Sequence, residues 1–374
     1  MADYQNENRP GLVRGTKIAV AMSGGVDSSV AALLLKEQGF QPVGVTLRFW
    51  VDPHATKQPP TEGETADSIR DAGRVADNLG IPHHIVDMEG DFYERVVKYF
   101  LQEYKAGRTP NPCIPCNRYL KFSLLLQKIR SRGVNYLATG HYVCNAYNPV
   151  SGKYTLSRGV DESKDQSYML YTLTQKQLTA TLFPLGAFTK EEIRRKAREA
   201  ALWVAEKKDS QEICFIPDND YRGFLERSDS QARRRGDIVN SAGEKLGEHN
   251  GLPFYTVGQR KGLGLTSSRP VYVVGMDPSR NILIVGCEDE LYSRGLVAGD
   301  LNFISGEAPA GEMQIQVKIR YRAPAVPAVL YPPQNGKASI IFAEKQKAVT
   351  PGQAAVFYRG EEVIGGGAIK AIRN

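Results

Sequence analysis

The chain has 374 residues, enough for two or three domains at roughly 150 residues each. Hydrophobic residues make up 41% of it and charged residues 24%, which is close to the average of globular proteins and excludes disordered and fibrous classes. The 48 Lys and Arg residues outnumber the 41 Asp and Glu residues, so the net charge of +7 permits binding to a polyanion such as nucleic acid.

The sequence carries no sign of a membrane or secretory segment. No run approaches 18 consecutive apolar residues, so we expect no membrane partner. Residues 1–16 include Asp3 and Glu7 and lack an apolar stretch, which argues against a secretory signal and predicts a flexible lead. Five cysteines are an odd number at low density, so we expect a reducing, cytoplasmic location in which a special cysteine is reactive or metal-bound.

Short β-rich runs alternate with amphipathic helical patterns over the first half of the chain. Strands that alternate with helices indicate βαβ units and therefore a parallel sheet. The predicted strands are Lys17–Met22, Pro42–Phe49, His84–Asp87 and Tyr136–Thr139. The predicted helices are Ser28–Gln38, Thr65–Leu79, Phe92–Tyr104, Asn117–Ser131 and Lys190–Ala201.

The second half has a different texture. Short Gly-rich segments from Gly236 predict a small mixed or β module, and frequent strands beyond Pro270 predict an antiparallel β-barrel. The predicted division is a lead over 1–16, an α/β domain over 17–210, a central domain over 211–275 and a C-terminal barrel over 276–374. The predicted later strands are Pro270–Met276, Asn281–Cys287, Met313–Ala323, Lys337–Phe342 and Ala354–Tyr358.

The sequence SGGVDSS, residues 23–29, lies between the first strand and the first helix. Adjacent glycines let the backbone turn sharply and direct its amides, and the helix that follows brings its positive end, so the segment predicts a phosphate-binding loop. The loop lacks the GxxxxGK[ST] pattern, which disfavours kinase-like transfer. The alternative is an ordinary Gly-rich turn capped by Ser28.

The loop resembles the PP-loop of the ATP pyrophosphatases, which cleave ATP between the α and β phosphates. The resemblance implies that Asp27 lies near pyrophosphate and Mg²⁺, since a carboxylate beside phosphates needs an intervening cation. It also implies that Leu47 and Gly140 flank the adenosine. The implied ATP-binding residues are Ala21, Met22, Ser23, Gly24, Gly25, Val26, Asp27, Ser28, Leu47 and Gly140.

Two cysteines have surroundings that suggest reactivity. Cys116 lies just ahead of a predicted helix that Asn117 would cap, so the helix dipole, Arg118 and Lys121 are expected to stabilise its thiolate. Cys214 follows the paired lysines 207 and 208, which favour the anion in the same way. Cys144 and Cys287 are more typical of small buried hydrophobes. A zinc site would need a second ligand pair, which the sequence lacks, whereas Cys113, Cys116 and Cys214 suffice for a three-thiolate iron–sulfur site.

Seven motifs in order resemble the MnmA (TrmU) family of tRNA-specific 2-thiouridylases. They are SGGVDSS, TPNPCxxCNxxxKF, ATGHY, KDQSYxLY, KKDSQxICFI, GLPFYTVGQRKGLG and TPGQAAVFY. The resemblance implies a PP-loop domain, a small central domain and a C-terminal β-barrel. It also implies sulfur transfer to C2 of the wobble uridine, position 34, of tRNA for Glu, Gln or Lys, with a sulfur-relay or cysteine desulfurase protein as donor.

The resemblance assigns catalytic roles to Asp27, Cys116 and Cys214. ATP adenylates the uridine O2, a persulfide on Cys214 attacks C2, and Cys116 attacks the Cys214 sulfur to leave a disulfide. Many family members have Asp where this chain has Cys113, so the chain is a CxxC variant. That third thiol keeps open a [4Fe-4S] cluster on Cys113, Cys116 and Cys214 as the sulfur carrier.

The same resemblance implies the RNA contacts, with amides and carboxylates to read base edges and Arg and Tyr to contact phosphate or stack on a base. Two other function classes stay open: an amide-forming PP-loop synthetase, which needs no paired cysteines, and an RNA-binding module with a degenerate loop. The implied tRNA-contacting residues are Asn111, Pro112, Cys113, His141, Lys164, Asp165, Gln166, Arg320, Tyr321 and Gln353.

Overall fold

A computed structural model describes residues 9–55, 64–208 and 213–373 of the chain. Its first seven strands are β1 (Lys17–Ala21), β2 (Gln41–Arg48), β3 (His83–Asp87), β4 (Tyr136–Thr139), β5 (Val143–Asn148), β6 (Lys153–Arg158) and β7 (Thr181–Leu182). Five of them form one parallel sheet in the order β3-β2-β1-β4-β7. Its central strand is the apolar run Ile18-Ala19-Val20, which is fully buried because helices cover both faces.

The order of the strands defines where a ligand can bind. β1 pairs with β2 on one side and with β4 on the other, so the loops that follow β1 and β4 face one crevice at the carboxyl edge of the sheet. Helix α1 (Val26–Glu37) follows β1, and helix α2 (Glu64–Leu79) follows β2. The other helices are Glu89–Phe92 continuing through Tyr93–Val97 and Lys98–Lys105, then Gln175–Thr179, Lys190–Glu199 and Tyr221–Ser228, with single turns at Ser167–Met169, Trp203–Glu206, Leu252–Phe254 and Glu288–Leu291.

One helix differs from its sequence prediction in a way that matters for the site. The segment predicted to be helical from Asn117 begins at Cys113, as Cys113–Pro115, continues as a π-helix over Cys116–Leu125 and ends with Leu126–Arg130. We call these three segments the nucleophile helix. Cys116 therefore lies inside the first turns of the helix and not ahead of it, and Asn117 is buried within it and does not cap it.

The central sheet contains four strands, β8 (Gly236–Asn240), β9 (Lys245–His249), β10 (Tyr272–Asp277) and β11 (Ile282–Gly286), in the order β10-β11-β8-β9. The prediction that the barrel starts at residue 276 is wrong for β11, because β10 and β11 form a hairpin that pairs with β8. The boundary after residue 210 stays a prediction.

The C-terminal strands are β12 (Tyr292–Phe303), β13 (Met313–Lys318), β14 (Val326–Leu330), β15 (Ala338–Lys347), β16 (Ala354–Arg359) and β17 (Glu362–Arg373). Pairing of β12 with both β15 and β17 closes them into an antiparallel barrel, filled by side chains such as Leu296, Val317 and Phe357. The β5–β6 hairpin of the first half joins this sheet through β6 and β17. The barrel is therefore attached to the crevice-bearing domain by strand pairing.

Candidate active site

The predicted phosphate loop forms the turn between β1 and α1. The Ser28 hydroxyl accepts a hydrogen bond from the Ser23 amide (3.1 Å) and donates to the Gly25 carbonyl (3.3 Å), while the Ser29 hydroxyl donates to the same carbonyl (2.8 Å). Gly24 has φ of +68°, in the region that favours glycine. These contacts close the loop on itself and leave the N-terminus of α1 facing the crevice.

Asp27, in the first turn of α1, accepts hydrogen bonds from two groups that sequence reasoning missed. Lys190 Nζ lies 2.7 and 2.8 Å from the two carboxylate oxygens, and the Tyr142 hydroxyl lies 2.7 Å from Oδ1. Both partners are buried, with Lys190 9% and Tyr142 2% exposed. Lys190 thus places a positive charge of the protein itself beside Asp27, and the Mg²⁺ ion expected there stays a prediction. Tyr142 stands inside the ATGHY motif, but nothing in the sequence near Lys190 pointed to this contact.

A second lysine holds the outside of the loop. Lys207 Nζ donates to the Gly24 carbonyl (3.0 Å) and forms an ion pair with Asp71 of α2 (2.7 Å). A Cβ on Gly24 would lie 2.5 Å from the Ser68 carbonyl oxygen, so α2 packs directly against the loop. Lys207 was expected to favour the Cys214 thiolate, and that expectation is wrong because its ammonium group is committed to the phosphate loop.

The remaining residues that were predicted to bind ATP differ in their position and exposure. A Cβ on Gly140 would lie 2.7 Å from the Ser28 amide, which explains why β4 must be followed by glycine at this approach. Ala21 ends β1, and Met22 and Val26 are buried beside the loop. Leu47 packs in the core at the carboxyl end of β2 and is only 9% exposed.

The position of Cys214 is set by the residues that follow it. Phe215 and Ile216 are buried, and the Phe215 ring lies 5.3 to 5.7 Å from those of Phe92, Phe100 and Phe224. The Phe215 carbonyl accepts a hydrogen bond from the Asp52 amide (3.1 Å). This packing fixes Cys214 on the protein beside the nucleophile helix. Residues 209–212, which precede this segment, lie outside the described residues.

A buried ion pair supports the same segment from the other side. Arg227 contacts the carboxylates of Asp52 (2.6 Å) and Asp218 (3.7 Å), and these two side chains are 4% and 1% exposed. Asp52 is next to the Cys214 segment in space, because its amide bonds the Phe215 carbonyl. Asp218 follows Cys214 by four positions in the sequence. Because a buried carboxylate without a partner is strongly destabilising, Arg227 ties the helix Tyr221–Ser228 to the Cys214 segment.

The structure brings Cys113, Cys116 and Cys214 into electrostatic contact. Burial raises the pKa of Cys214 most, and the neighbouring Cys116 and Cys113 raise that pKa further. Burial likewise raises the pKa of Cys116 to about 11, and Lys121 opposes the shift. Cys116 is buried, whereas the outer surfaces of Cys113 and Cys214 are exposed. The fold therefore places Cys116 and Cys214, which are 98 positions apart in sequence, close to each other.

The expected thiolate stabilisation is only partly realised. Lys121 lowers the pKa of Cys116, as predicted, and also that of Cys113 and Cys214, but burial outweighs it and the net shift is upward. Arg118 does not contribute, because its guanidinium lies over the Tyr119 ring at 5.2 Å. Because the helix begins at Cys113, Cys116 lies within it and not ahead of its positive N-terminal end, where the dipole was expected to stabilise the thiolate. The cysteines of the ligand-free protein are therefore protonated thiols at neutral pH.

Lys121 also connects the thiols to the crevice. It lowers the pKa of His141, although burial is the larger cause and holds that pKa well below its usual range. His141 follows Gly140 and its Nδ1 lies 2.8 Å from the Thr139 hydroxyl at the end of β4. The ring is thus a neutral imidazole between the phosphate loop and the thiols.

The three thiols do not fit a metal cluster in this conformation. Within residues 9–55, 64–208 and 213–373, no group of three or more His, Cys, Asp or Glu side chains is arranged to hold a metal ion. We therefore derive no step through an iron–sulfur cluster.

Two asparagines fix the turn that carries Cys113 and Cys116. The Asn111 side chain accepts a hydrogen bond from the Cys113 amide (3.1 Å) and donates to the Met169 sulfur (3.3 Å). Asn117 donates to the Met169 carbonyl (3.2 Å) from within the helix. Gln353 of the barrel donates to the Thr109 carbonyl (2.8 Å) just before this turn. Asn111 and Gln353, predicted as RNA contacts, thus also hold the site together.

Two more predicted RNA contacts have structural partners. Asp165 is 5% exposed and accepts hydrogen bonds from the Ser167 amide and hydroxyl, so it is not available as a surface contact. Gln166 accepts from the Tyr142 amide (3.0 Å) and thereby supports the residue that contacts Asp27. Lys164 and Pro112 are half-buried beside these groups.

The barrel brings the last two predicted RNA contacts toward the thiols. Arg320 is exposed and follows β13, in a segment predicted as strand that is a turn here. Tyr321 is half-buried, with its ring 6.1 Å from that of Tyr168, and its pKa is raised by burial, by Asp165 and by Cys113. Tyr321 therefore lies close enough to Cys113 to form a wall of the thiol site.

Comparisons with known proteins agree with this architecture. Three family models match in order: "tRNA methyl transferase HUP domain" over residues 16–218, "tRNA methyl transferase PRC-barrel domain" over 222–287 and "Aminomethyltransferase beta-barrel domain" over 293–369. The tRNA-specific 2-thiouridylase MnmA 1 of Caldanaerobacter subterraneus subsp. tengcongensis is 49% identical over 355 residues, which cover 95% of this chain and 98% of that protein. The MnmA protein of Heliobacterium modesticaldum is 50% identical over 363 residues, or 96% of this chain and 92% of that one.

The chain belongs to the MnmA family. The predicted fold class, a PP-loop parallel-sheet domain with a central module and a C-terminal antiparallel barrel, is confirmed. The U34-tRNA thiolase NcsA of Methanococcus maripaludis, a solved structure, shares 20% identity over 59% of this chain and 68% of its own, with a TM-score of 0.35, too low to support an argument. In the part of the chain that the structure describes, no helix has the length and apolarity needed to span a membrane.

Proposed function

We propose that this protein is an ATP-dependent tRNA sulfurtransferase that replaces O2 of the wobble uridine, position 34, with sulfur. The observation that carries the proposal is that Cys116 and Cys214 lie close enough to interact electrostatically next to the carboxyl edge of the sheet, where Lys121 acts on both thiols and on His141. Membership of a family whose relatives are named tRNA-specific 2-thiouridylases supports the same reaction.

In the first step the uridine O2 attacks the α-phosphorus of ATP, and pyrophosphate leaves. The amides of Gly24 and Gly25 and the N-terminus of α1 bind the pyrophosphate, and Lys190 adds a positive charge next to Asp27. Asp27 fits a Mg²⁺ ion, because Mg²⁺ is usually bound by one or two carboxylates together with substrate phosphates. When bound, that ion neutralises charge that develops on the leaving group.

In the second step the terminal sulfur of a Cys214 persulfide attacks C2 of the activated uridine, the C2–O2 bond breaks and AMP leaves. The product is a disulfide between Cys214 and the uridine sulfur. The exposed surface of Cys214 suits both loading by a persulfide-carrying donor protein and access to the base. A persulfide is more acidic than a thiol, so the burial that protonates Cys214 is less of an obstacle to the loaded sulfur.

In the third step Cys116 attacks the Cys214 sulfur. A Cys116–Cys214 disulfide forms, the sulfur–sulfur bond to the uridine breaks, and 2-thiouridine is released with the electron pair. Lys121 stabilises the attacking thiolate, since it is the cation that lowers the pKa of Cys116. An external dithiol then reduces the disulfide and restores both thiols.

The base is expected to enter between the Cys113 turn and the barrel. Asn111, Pro112 and Cys113 border the thiols, His141 borders the phosphate loop, and Tyr321 forms the wall from the barrel side. An unpaired base stacks well on an aromatic ring, and Arg320 is exposed for a phosphate. Asp165, Gln166 and Gln353 support these residues from within the protein.

The test is a reaction of purified protein with unmodified tRNA, ATP and a persulfide donor under anaerobic conditions. We expect 2-thiouridine, AMP and pyrophosphate in equal amounts, with AMP formed only in the presence of cognate tRNA. ATP-dependent formation of AMP and pyrophosphate that survives in both Cys116→Ser and Cys214→Ser would instead favour the amide-forming synthetase, which needs no paired cysteines. AMP formation without tRNA modification in the wild type would overturn the proposal, and iron assays on the same sample report on the cluster alternative directly.

A further inference from the structure

The parallel sheet has a second cavity at the edge opposite the phosphate loop. A cavity of about 490 Å³ lies where β1, β2 and β3 begin, and the end of the nucleophile helix closes it. Strand β1 runs from Lys17 at this cavity to Ala21 at the phosphate loop, a separation of roughly 13 Å at about 3.3 Å per residue. The cavity is therefore separate from the thiol and adenylate site. We call it the amino-edge cavity.

Its charged groups all have one sign. Lys17, Lys36 and Arg132 line it together with His84, and no acidic residue is among the described residues that line it. Lys36 donates to the Leu79 carbonyl and is held at the rim. Neither the Lys17 nor the Arg132 side chain forms an ion pair or hydrogen bond with any residue in the described ranges. Two cations thus converge on the cavity without an anionic partner from this chain.

The floor of the cavity is apolar. Val43 of β2 and Val134, just before β4, supply it together with Ile129 of the nucleophile helix. The volume lies in the range of pockets that hold small molecules, typically about 300 to 1,000 Å³, and such pockets combine an apolar lining with few convergent polar groups. The combination favours a ligand that has an apolar body and carries a negative charge.

We propose that the amino-edge cavity binds a small organic anion, a carboxylate, phosphate or sulfonate on an apolar or aromatic body. Lys17 and Arg132 pair with the anionic group at the rim, and Val43, Val134 and Ile129 contact the body. The site is independent of the thiolation chemistry, because no contact joins its two anion-pairing residues, Lys17 and Arg132, to the phosphate loop or the thiols within the described ranges. The inference therefore stands or falls apart from the proposed function.

The probe is 8-anilinonaphthalene-1-sulfonate, with its uncharged analogue N-phenyl-1-naphthylamine as the matched control. Fluorescence titration of the native protein should give saturable binding of the sulfonate that excess ATP does not displace. Arg132→Glu and Lys17→Glu should each weaken sulfonate binding by roughly tenfold, as expected for a charge reversal at the rim. Both should leave binding of the uncharged analogue within about twofold of the wild type.

Two further variants keep the outcome unambiguous. Val43→Trp fills the cavity and should abolish binding of both probes, and a thermal melt checks that it folds. Arg359→Glu reverses a charge on the distant barrel strand β16 and should change nothing. Displacement of the sulfonate by ATP, or equal binding by the wild type and Arg132→Glu, would overturn the proposal. Loss of sulfonate binding with intact thiolation in the charge variants would support it.

Discussion

The phosphate loop and the thiol site are built in opposite ways. The loop is one continuous stretch, residues 21–29, whose serine hydroxyls bond to backbone groups no more than five positions away. The thiol site joins Cys116 and Cys214 from segments 98 positions apart, and its geometry depends on the packing of Phe215 and on the Asp52–Arg227 ion pair. The contacts of the phosphate loop can therefore be predicted from its own sequence, whereas the properties of the thiol site depend on how distant segments pack together.

The difference shows in the electrostatics. In the loop, the Asp27 carboxylate pairs with Lys190, a cation of the protein itself that was not predicted from the sequence. At the thiols, the expected lowering of the pKa is reversed, because the protein packed around the thiol groups and their interaction with one another outweigh Lys121. The comparison can be tested by changing each region separately and asking whether the other responds.

The largest effect is expected from the thiols themselves. Cys116→Ser and Cys214→Ser should each lower 2-thiouridine formation by on the order of 10³-fold or more, because each removes a nucleophile. Both variants should bind ATP as the wild type does. Cys116→Ser should also accumulate a tRNA adduct through a reducible disulfide to Cys214, detectable on a non-reducing gel, whereas Cys214→Ser should form none.

The control for this pair is Cys287→Ser. Cys287 is exposed and lies at the start of the turn Glu288–Leu291, remote from the site, so its replacement should leave thiolation and ATP binding unchanged. An adduct that forms in Cys214→Ser and not in Cys116→Ser would exchange the roles of the two cysteines.

The second effect is the pH dependence of Cys116. A pKa of about 11 in place of 9.0 leaves Cys116 protonated, so its alkylation by iodoacetamide at pH 8 should be ~100-fold slower in the folded protein than in the denatured chain. The rate should still rise tenfold per pH unit between pH 8 and 10. Mass spectrometry of the modified peptide distinguishes Cys116 from Cys113.

Two companions sharpen this measurement. Lys121→Met removes the cation that lowers the pKa of Cys116, so alkylation should slow further. Lys128 lies on the same helix and its side chain donates to the Asp87 carbonyl, so Lys128→Met should have no effect on the alkylation rate. The raised pKa also implies that the folded chain is stabilised below pH 9 and loses that stability as pH rises toward 11, because unfolding lets the buried thiol ionise. A rate profile that levels off near pH 9 contradicts the burial argument.

The third effect concerns the loop alone. Gly24→Ala should weaken ATP binding by roughly tenfold or more, since a left-handed φ costs about 1–2 kcal/mol in other residues and the new Cβ would lie 2.5 Å from the Ser68 carbonyl oxygen. Calorimetric titration with ATP gives the affinity. Gly25→Ala is the matched control for folding, because Gly25 has φ of −102° and its Cβ would meet only the Ser23 hydroxyl at 3.5 Å. Equal melting temperatures for the two variants would show that α2 does not brace the loop.

The same division explains what the sequence can predict. Strand β4 is predicted at its observed bounds, and the loop after β1 has its expected form, because alternation and glycine spacing are local signals. The nucleophile helix starts four residues earlier than predicted, because the turn fixed by Asn111 and Met169 overrides the expected cap at Asn117. Tertiary contacts of this kind cannot be predicted from the spacing of residues in the sequence.

Lys190 shows the limit most clearly. It stands at the first position of its helix, where a capping box between Thr189 and Glu192 accounts for the local sequence without it. Its contact with Asp27 spans 163 positions and arises because the helix Lys190–Glu199 packs beside α1. Asp165 is the opposite case. It was predicted from its motif to contact tRNA, but its carboxylate accepts hydrogen bonds from Ser167 in the core.

The smallest effect tests whether the two regions communicate through Asp27. Tyr142→Phe removes one hydroxyl that donates to the Asp27 carboxylate at 2.7 Å, a kind of bond worth about 1.5–3 kcal/mol. Because Lys190 still bonds both carboxylate oxygens, we expect the lower end of that range, a fall in pyrophosphate formation of roughly tenfold. Alkylation of Cys116 should not change, because the thiols owe their pKa to burial and to Lys121. Tyr136→Phe at the other end of β4 removes a hydroxyl that bonds the Gly11 carbonyl, and should affect neither measurement. If Tyr142→Phe altered Cys116 alkylation as strongly as pyrophosphate release, the loop and the thiols would form one coupled unit, and the division between a local and an assembled region would fail.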